Sequence, residues 1–223
     1  MNCAVSADGR LAYARGRRAR LSGPEDLKRV QALRAGCDAI LVGVGTVILD
    51  DPSLRVHWEL LPGPQGADPL RVVLDTHGRT PPAARVLDSR QPTLVAVGSS
   101  CRRTFPAHVA VFRSPRPAVD LPALMEELRR RGVRRVLVEG GSQVIASYLR
   151  AGLVSRLTVY VAPVLIGGAT APTMMAGLET PDEQGAVPLT LEAVSRLDDG
   201  ILLTYVPRAG RRGQATVGAH AAQ

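Results

Sequence analysis

The chain has 223 residues, of which 45% are hydrophobic and 22% are charged, a balance typical of a folded globular protein rather than a disordered one. No apolar stretch is long enough to span a bilayer, and the N-terminus lacks the pattern of a signal peptide, so we expect a cytoplasmic protein with no membrane partner. The three cysteines form no Cys-x-x-Cys pair, which argues against a disulfide framework and predicts no metal site.

The net charge of +8 is concentrated in two places. Four arginines lie between Arg15 and Arg20, and three more lie in the C-terminal tail. Neither segment carries the interleaved aromatic residues that stack on single-stranded nucleic acids, so we expect no nucleic-acid partner. The N-terminal arginines are better explained by an anionic small-molecule substrate, with a solvated loop as the alternative.

Predicted strands and helices alternate in the first part of the chain. Residues 2–6 form a predicted strand that ends at the turn Asp8-Gly9, and an arginine-rich loop follows. The next helix has Ser22 as its candidate N-cap and Glu25 as the second half of a capping box, and it ends at Gly36. Strand 39–42 then leads into a glycine turn and a short helix.

The rest of the chain keeps this alternation as far as a helix at 143–151 and then changes to strands alone. Further strands are predicted at 70–74, 93–97, 109–112, 134–139, 157–161, 164–166, 189–194 and 200–206, with a helix at 121–131. This order predicts an α/β three-layer sandwich with a mixed, mostly parallel central sheet and a C-terminal antiparallel hairpin. We expect one domain over residues 1–206 and a disordered basic tail over 207–223.

Two of the predicted strands end in paired glycines, at Gly43-Val44-Gly45-Thr46 and at Gly140-Gly141-Ser142-Gln143. Each turn presents backbone N–H groups where a helix begins, which is how proteins hold phosphate oxygens. Glycine after a strand could also have a purely structural role here. Two such turns suggest an extended ligand with several phosphates, such as a dinucleotide. Thr76 and Arg79, after a third strand, suit the 2′-phosphate that distinguishes NADPH from NADH. Neither turn fits the GxGxxG fingerprint or a P-loop.

Four segments resemble the signatures of one known family. They are Ser6-Ala7-Asp8-Gly9-Arg10-Leu11-Ala12, the run from Leu33 through Gly43-Val44-Gly45-Thr46-Val47 to Asp50-Asp51-Pro52-Ser53-Leu54, the tetrad Val138-Glu139-Gly140-Gly141, and the stretch from Tyr160 to Gly168. From about Asn2 to Val206 the chain is similar to the pyrimidine reductase of riboflavin biosynthesis, whose fold is that of dihydrofolate reductase.

The resemblance implies an NADPH-dependent reductase of a phosphorylated ribosylaminopyrimidine. In the implied reaction the ribosylamine opens to its imine form, and hydride from NADPH then reduces C1′ to give a ribitylamino group. The resemblance also suggests a homodimer, for which the C-terminal hairpin is a candidate interface.

The resemblance further implies roles for particular residues. Asp50 would approach the ribosyl carbon and Glu139 would face the pyrimidine, and these two are the candidate catalytic residues. The candidate cofactor-binding residues are Ala4, Gly45, Thr46, Thr76, Arg79, Gly140, Gly141, Ser142, Gln143 and Val144. The candidate substrate-binding residues are Arg18, Arg20, Arg34, Asp50, Leu54, His57 and Glu139.

Several of these residues also have structural interpretations. Asp50 could close a helix, Arg34 could lie on the surface, His57 could pack beside Trp58, and Ser142 could cap a helix while touching phosphate. These alternatives are open on the sequence alone.

Two features bear on the substrate. Val164 stands where the family commonly has a lysine, and no zinc-deaminase signature occurs in the chain. We therefore expect a free-standing reductase, acting either on the 2,5-diaminopyrimidinone before deamination or on the aminouracil after it. The alternatives are a paralogous NADPH-dependent reductase of another heterocycle in specialised metabolism, and a non-catalytic binder of nucleotides or nucleic acid.

Overall fold

The computed structural model describes residues 1–14, 17–175 and 186–208. The predicted tail lies outside the described residues from 209 onwards, as does the side chain of Arg18.

Four α-helices and eleven strands make up the described part of the chain. The helices are α1 (Pro24–Ala35), α2 (Val44–Asp50), α3 (Leu121–Arg130) and α4 (Ser142–Arg150). The strands are β1 (Asn2–Ser6), β2 (Ala12–Ala14), β3 (Arg17–Arg18), β4 (Ala39–Gly43), β5 (Leu70–Leu74), β6 (Thr93–Val97), β7 (Val109–Arg113), β8 (Val136–Val138), β9 (Leu157–Ala162), β10 (Leu189–Leu197) and β11 (Gly200–Pro207).

The larger sheet has five parallel strands in the order β7-β6-β5-β4-β8. Both of its faces are covered, which is why β4 and β6 are buried along their whole length and are apolar except at Thr93. Ala39 and Leu41 of β4 pack with α3 and α4 on one face. Ile40 and Val42 pack on the other face with α2 and the segment 84–87. The alternation of side chains along β4 therefore produces the layers of the sandwich.

The second sheet has four strands in the order β1-β9-β11-β10, with β1 parallel to β9 and the other pairs antiparallel. Helix α4 packs against both sheets, because Val144 and Tyr148 enter the core of the first while Ile145 and Leu149 enter that of the second. The predicted α/β class with a parallel sheet and a C-terminal hairpin is confirmed, with the strands divided between two hydrogen-bonded sheets.

Two local predictions are wrong. The segment 164–166 is not a strand, because the N–H groups of Ile166 and Gly167 donate to the Asp8 carboxylate at 3.0 and 2.7 Å instead of to a neighbouring strand. The arginine-rich segment after Asp8 is not simply a loop, since β2 and β3 pair there as a short antiparallel ribbon.

The start of α1 also differs from the prediction. Its N-cap is Gly23, without a side-chain cap, so Ser22 and Glu25 form no capping box. Asp198, in the turn between β10 and β11, instead accepts the N–H groups of Glu25 and Asp26 at 3.1 and 2.9 Å. A Cβ on Gly23 would lie 2.6 Å from the Asp198 carboxyl group, so this close approach requires glycine.

The inner face of α1 is polar. Asp26 and Gln31 are its buried residues, whereas Leu27 is 50% exposed. Arg29 donates to Asp26 and to Asn2 of β1. Hydrogen bonds and ion pairs, rather than an apolar stripe, therefore hold α1 against the rest of the molecule.

We predict that Asp198→Ala lowers the free energy of unfolding by about 1 kcal/mol or more, because the first turn of α1 loses its acceptor. Asp198→Asn should cost less, since asparagine keeps one acceptor oxygen and tolerates the left-handed backbone (φ 48°) at this position. Urea unfolding followed by circular dichroism measures both, with Asp199→Ala at the exposed neighbour as the matched control. Equal stability of the two alanine variants would contradict the capping role.

Candidate active site

Three polar turns meet at one edge of the five-stranded sheet. Strand β4 lies between β5 and β8 in parallel register, so the carboxyl ends of all three open on the same side. The Gly43 N–H donates to the Gly140 carbonyl at 3.0 Å, and a Cβ on Gly141 would lie 3.5 Å from Thr46 Oγ1. The structure therefore brings the two glycine turns together.

The glycines of this edge have different roles. A Cβ on Gly43 would lie 2.7 Å from Val144 Cγ2, so Gly43 allows α4 to pack closely against β4. Among the described residues a Cβ built on Gly45 or Gly140 would meet no heavy atom within 4 Å apart from those of its own chain neighbours or helix; Gly45 is exposed, whereas Gly140 is buried. Gly140 has a φ of 118°, and its peptide bond to Gly141 is cis.

The N-terminus of α4 faces this groove. Its N-cap is Gly141, which has no side chain to accept a hydrogen bond, so Ser142 is the first helical residue and not the cap. The Val144 N–H donates to the Gly141 carbonyl at 2.9 Å, so the first-turn N–H groups that suit an anionic ligand are those of Ser142 and Gln143. The side chain of Val144 is buried in the core and its N–H already donates to Gly141, so this arrangement does not favour the predicted cofactor contact of Val144.

The third turn, which follows β5, is organised by a carboxylate that sequence reasoning missed. Asp75 is fully buried and accepts the N–H groups of Arg79 and Thr80 at 2.8 and 2.7 Å, together with the Thr80 hydroxyl. Arg103 Nη1 donates to the Gly78 carbonyl at 2.6 Å from the neighbouring loop. Thr76 is half-buried and Arg79 is exposed on this preformed turn. The signal for Asp75 was an aspartate opening a turn that contains glycine.

Glu139 follows β8 and forms an ion pair with Arg34 of α1. Arg34 donates from Nε to Oε1 at 2.8 Å and from Nη2 to Oε2 at 2.7 Å, and its Nη1 donates to the Arg55 carbonyl at 3.0 Å. Burial lowers the pKa of the Arg34 guanidinium, but the charge and hydrogen bonds of Glu139 outweigh this effect and leave the pKa above its ordinary value. The interpretation of Arg34 as a surface residue is wrong.

The segment 50–57 borders the pair. Asp50 ends α2 and is partly exposed, whereas Asp51 is the C-cap and accepts the Arg85 N–H at 2.8 Å. Leu54 has a left-handed backbone (φ 53°) and is 2% exposed, so its side chain belongs to the core and a substrate contact would have to use its main chain. The His57 N–H donates to Gln31 Oε1.

The remaining candidate residues are less closely tied to the three turns. The His57 ring is exposed and contacts Glu59 at 2.9 Å, so the interpretation that it packs beside Trp58 is wrong. Arg20 is exposed and follows β3, which lies against α2. Ala4 lies in β1 of the other sheet, in register with Tyr160.

Two of the recognised sequence signatures are joined structurally by Asp8. Its carboxylate accepts the Ser6 hydroxyl at 2.6 Å and the N–H groups of Ile166 and Gly167. The Ser6 hydrogen bond, followed by those two N–H groups, holds the pKa of Asp8 well below its usual value. Asp8 therefore stays ionised and fixes the segment that follows β9.

In residues 1–14, 17–175 and 186–208, no group of three or more His, Cys, Asp or Glu side chains is arranged to hold a metal ion. None of the helices found there is both long enough and apolar enough to cross a membrane.

Comparison with curated proteins gives relatives of nearly the same length. A protein of Methanothermobacter thermautotrophicus named 2,5-diamino-6-ribosylamino-4(3H)-pyrimidinone 5′-phosphate reductase is 38% identical over 212 residues, which cover 92% of this chain and 95% of the relative. A protein of the same name from Archaeoglobus fulgidus is 39% identical over 219 residues, with the same two coverages.

Two solved structures are also similar to this chain. The RibD structure from Acinetobacter baumannii has a TM-score of 0.77 at 28% identity and covers 93% of this chain and 57% of that one. The riboflavin biosynthesis reductase Rib7 of Saccharomyces cerevisiae has a TM-score of 0.70 at 25% identity, with coverages of 93% and 88%. The family model of the RibD C-terminal domain matches residues 1–203, and the chain therefore belongs to the RibD C-terminal domain family.

Proposed function

We propose that the protein is a cytoplasmic reductase, with residues 1–206 as its reductase domain, that uses NADPH to convert the ribosylamino group of a 5′-phosphorylated pyrimidine to ribitylamino. The observation that carries this proposal is the groove in which Thr46 and Gly141 adjoin, with Glu139 two residues before Gly141 in the chain. The names of the two archaeal relatives favour the 2,5-diaminopyrimidinone over the aminouracil as substrate.

The residues of the groove fit a dinucleotide. The exposed main chain at Gly45 and the first turn of α4 suit a pyrophosphate, and a side chain at Gly45 or Gly140 would fill the space beside them. The exposed Arg79 and the neighbouring Arg103 suit a 2′-phosphate, which favours NADPH over NADH. When bound, NADPH would supply the hydride that is added to C1′.

The protein's own groups would bind and orient the substrate. The Glu139 carboxylate, held by Arg34, would accept N–H groups of the pyrimidine. Arg20 and His57 are exposed and are the candidate contacts of the 5′-phosphate. Opening the ribosylamine to its imine moves a proton to O4′, and after hydride addition the reduced group carries a proton on the exocyclic nitrogen. Asp50 or a water molecule would serve as the proton carrier.

We predict that Glu139→Gln and Asp50→Asn each lower turnover by at least about tenfold while leaving NADPH binding unchanged, because both carboxylates would act on the pyrimidine substrate. Turnover is followed by the loss of nicotinamide absorbance with each candidate pyrimidine, and NADPH binding is followed by fluorescence. Glu126→Gln, on the exposed surface of α3, is the matched control. Wild-type protein that oxidises NADPH with neither pyrimidine would contradict the proposed function.

We also predict that Arg79→Ala weakens NADPH binding by about tenfold and leaves NADH binding unchanged, since a charge-assisted hydrogen bond to phosphate contributes about 1.5–3 kcal/mol. Titration with both cofactors measures the ratio. Arg90→Ala, before β6 at the opposite edge of the sheet, is the control. A similar loss for NADH would remove Arg79 from the 2′-phosphate site.

The C-terminal hairpin supports the homodimer that we propose. Strand β10 is at the edge of its sheet, and it is exposed along nearly its whole length. Leu191, Val194 and Ile201 are 51%, 58% and 46% exposed. An edge strand of this length with exposed apolar side chains invites pairing with another chain, and a second copy of the same hairpin would cover it.

We predict that Val194→Asp gives a monomer, because a buried unpaired carboxylate at the centre of the interface would oppose association. Light scattering after size-exclusion chromatography measures the mass. Leu60→Asp, at a leucine that is 44% exposed outside the hairpin, is the control and should leave the dimer intact. A wild-type monomer, or a Val194→Asp dimer, would contradict the interface.

A further inference from the structure

The segment 54–57, which would border the phosphate of the substrate, has no regular secondary structure, yet its main chain is held at every residue. Side chains from other parts of the chain each bond one of its main-chain polar atoms. The pairs are the Leu54 carbonyl with the Gln91 amide at 3.3 Å, the Arg55 carbonyl with the Arg34 guanidinium at 3.0 Å, the Val56 N–H with the Asp68 carboxylate at 3.0 Å, and the His57 N–H with the Gln31 amide at 3.0 Å. A segment with these bonds has its shape before any ligand arrives.

We infer that Asp68 is a positioning residue, which holds the segment 54–57 in the conformation that receives the phosphate end of the substrate. Its role does not require any contact between Asp68 and the substrate. This role rests on the proposed function, in which His57 is a candidate contact of the 5′-phosphate.

The two oxygens of the Asp68 carboxylate bond two consecutive residues of the segment. Oδ1 accepts the Val56 N–H at 3.0 Å, and Oδ2 accepts Arg55 Nε at 2.9 Å. The Asp68 side chain is 12% exposed and the Arg55 side chain is 41% exposed, so water competes more for the ion pair than for the main-chain bond. Asp68 therefore fixes the chain directly before His57.

Asp68 is a strong acceptor on an irregular loop. Burial raises the pKa of its carboxyl group, but the hydrogen bonds from the Val56 N–H and from Arg55, with the charge of Arg55, outweigh this effect and leave the pKa below its ordinary value. Hydrogen bonds to an ionised acceptor are shorter and stronger than those between neutral groups. Residues 61–69 contain no helix or strand, so the carboxylate, rather than a strand ladder, joins this loop to the segment.

The start of the segment shows why it has to be held. Leu54 has a left-handed backbone with a φ of 53°, which is unfavourable for a leucine and persists only where the surroundings fix it. The amide of Gln91, which is 2% exposed, donates to the carbonyls of both Leu54 and Pro69. Pro69 directly follows Asp68, so the chain before β5 is joined to the segment at two neighbouring positions.

The charge of Asp68 makes its role testable by the sign of the effect. A carboxylate near a phosphate site repels the phosphate, so removing that charge alone should tighten substrate binding. Loss of the main-chain bond should instead weaken binding, because the segment would no longer keep its shape. Charge and position therefore predict opposite results for the same substitution.

The kinetic experiment compares two variants of Asp68. Asp68→Ala should raise the KM of the 5′-phosphorylated pyrimidine by about tenfold or more and change kcat less, because contacts to the bound phosphate would be misplaced. The rise should be smaller for the same pyrimidine without its phosphate. Asp68→Asn is the matched control, since it removes the charge but keeps an acceptor oxygen for the Val56 N–H, and its KM should stay close to that of the wild type. NADPH affinity should be unchanged in both variants.

A second measurement uses the protein without substrate. Amide hydrogen exchange followed by 15N NMR should show the Val56 and His57 N–H groups protected in the wild type. In Asp68→Ala both should lose protection, the Val56 N–H because its acceptor is gone and the His57 N–H because the segment loosens although Gln31 is intact. The amides of β4 are the reference for global stability. Should Asp68→Ala misfold, Asp68→Ser, with its shorter side chain, carries the same comparisons.

Four results would overturn the inference. They are an unchanged or lowered KM in Asp68→Ala, an equal rise in Asp68→Asn, a matching loss of NADPH affinity, and a Val56 amide that is unprotected in the wild type. If wild-type protein turns over no pyrimidine, the proposed function fails and the role of Asp68 in substrate binding fails with it. Amide protection that falls in Asp68→Ala would then still establish that Asp68 holds the segment, so the two failures are distinguishable.

Discussion

The parallel pairing of β4 with β5 on one side and β8 on the other is the constraint on which the candidate site depends. Because parallel strands end at the same edge of a sheet, the turns that follow β4, β5 and β8 become neighbours although they are distant in sequence. Strand pairing alone is enough to bring them together. The Gly43 N–H bond to Gly140 closes this edge, and the absence of a side chain on Gly43 lets α4 approach. The backbone therefore forms the groove, and the side chains of Thr46, Thr76 and Glu139 line it.

Much of this arrangement could be predicted from local sequence. The apolar run of β4, the glycines after it and the later run of strands without helices identified the class of fold, because burial on two faces leaves a continuous apolar pattern. The family signatures then indicated which turns meet. Short elements were not predicted. Strands β2 and β3 have too few residues to show a periodic pattern. The apolar segment 164–166 is not a strand because the Ile166 N–H donates to Asp8 instead of to a neighbouring strand.

Contacts between side chains distant in sequence could not be predicted in this way. Asp198 caps a helix that begins 174 residues earlier, at Pro24, and Arg34 meets a carboxylate 105 residues later. Local propensity has no information on such pairs, since it describes what each segment can do alone. The sequence predicted Arg34 and Glu139 as site residues but did not predict that they pair with each other. A helix with a polar inner face, such as α1, is where this kind of error is expected.

The position of α4 has a consequence for how the molecule opens. One side of this helix is buried with the parallel sheet and the other with the second sheet, so detaching it would break both cores at once. Local opening of α4 would therefore disrupt both cores, and its amide protons should be among the slower ones to exchange with solvent. The first turn of α4 faces the groove. A ligand bound there would therefore stabilise the folded state of the whole molecule by mass action, and not one loop alone.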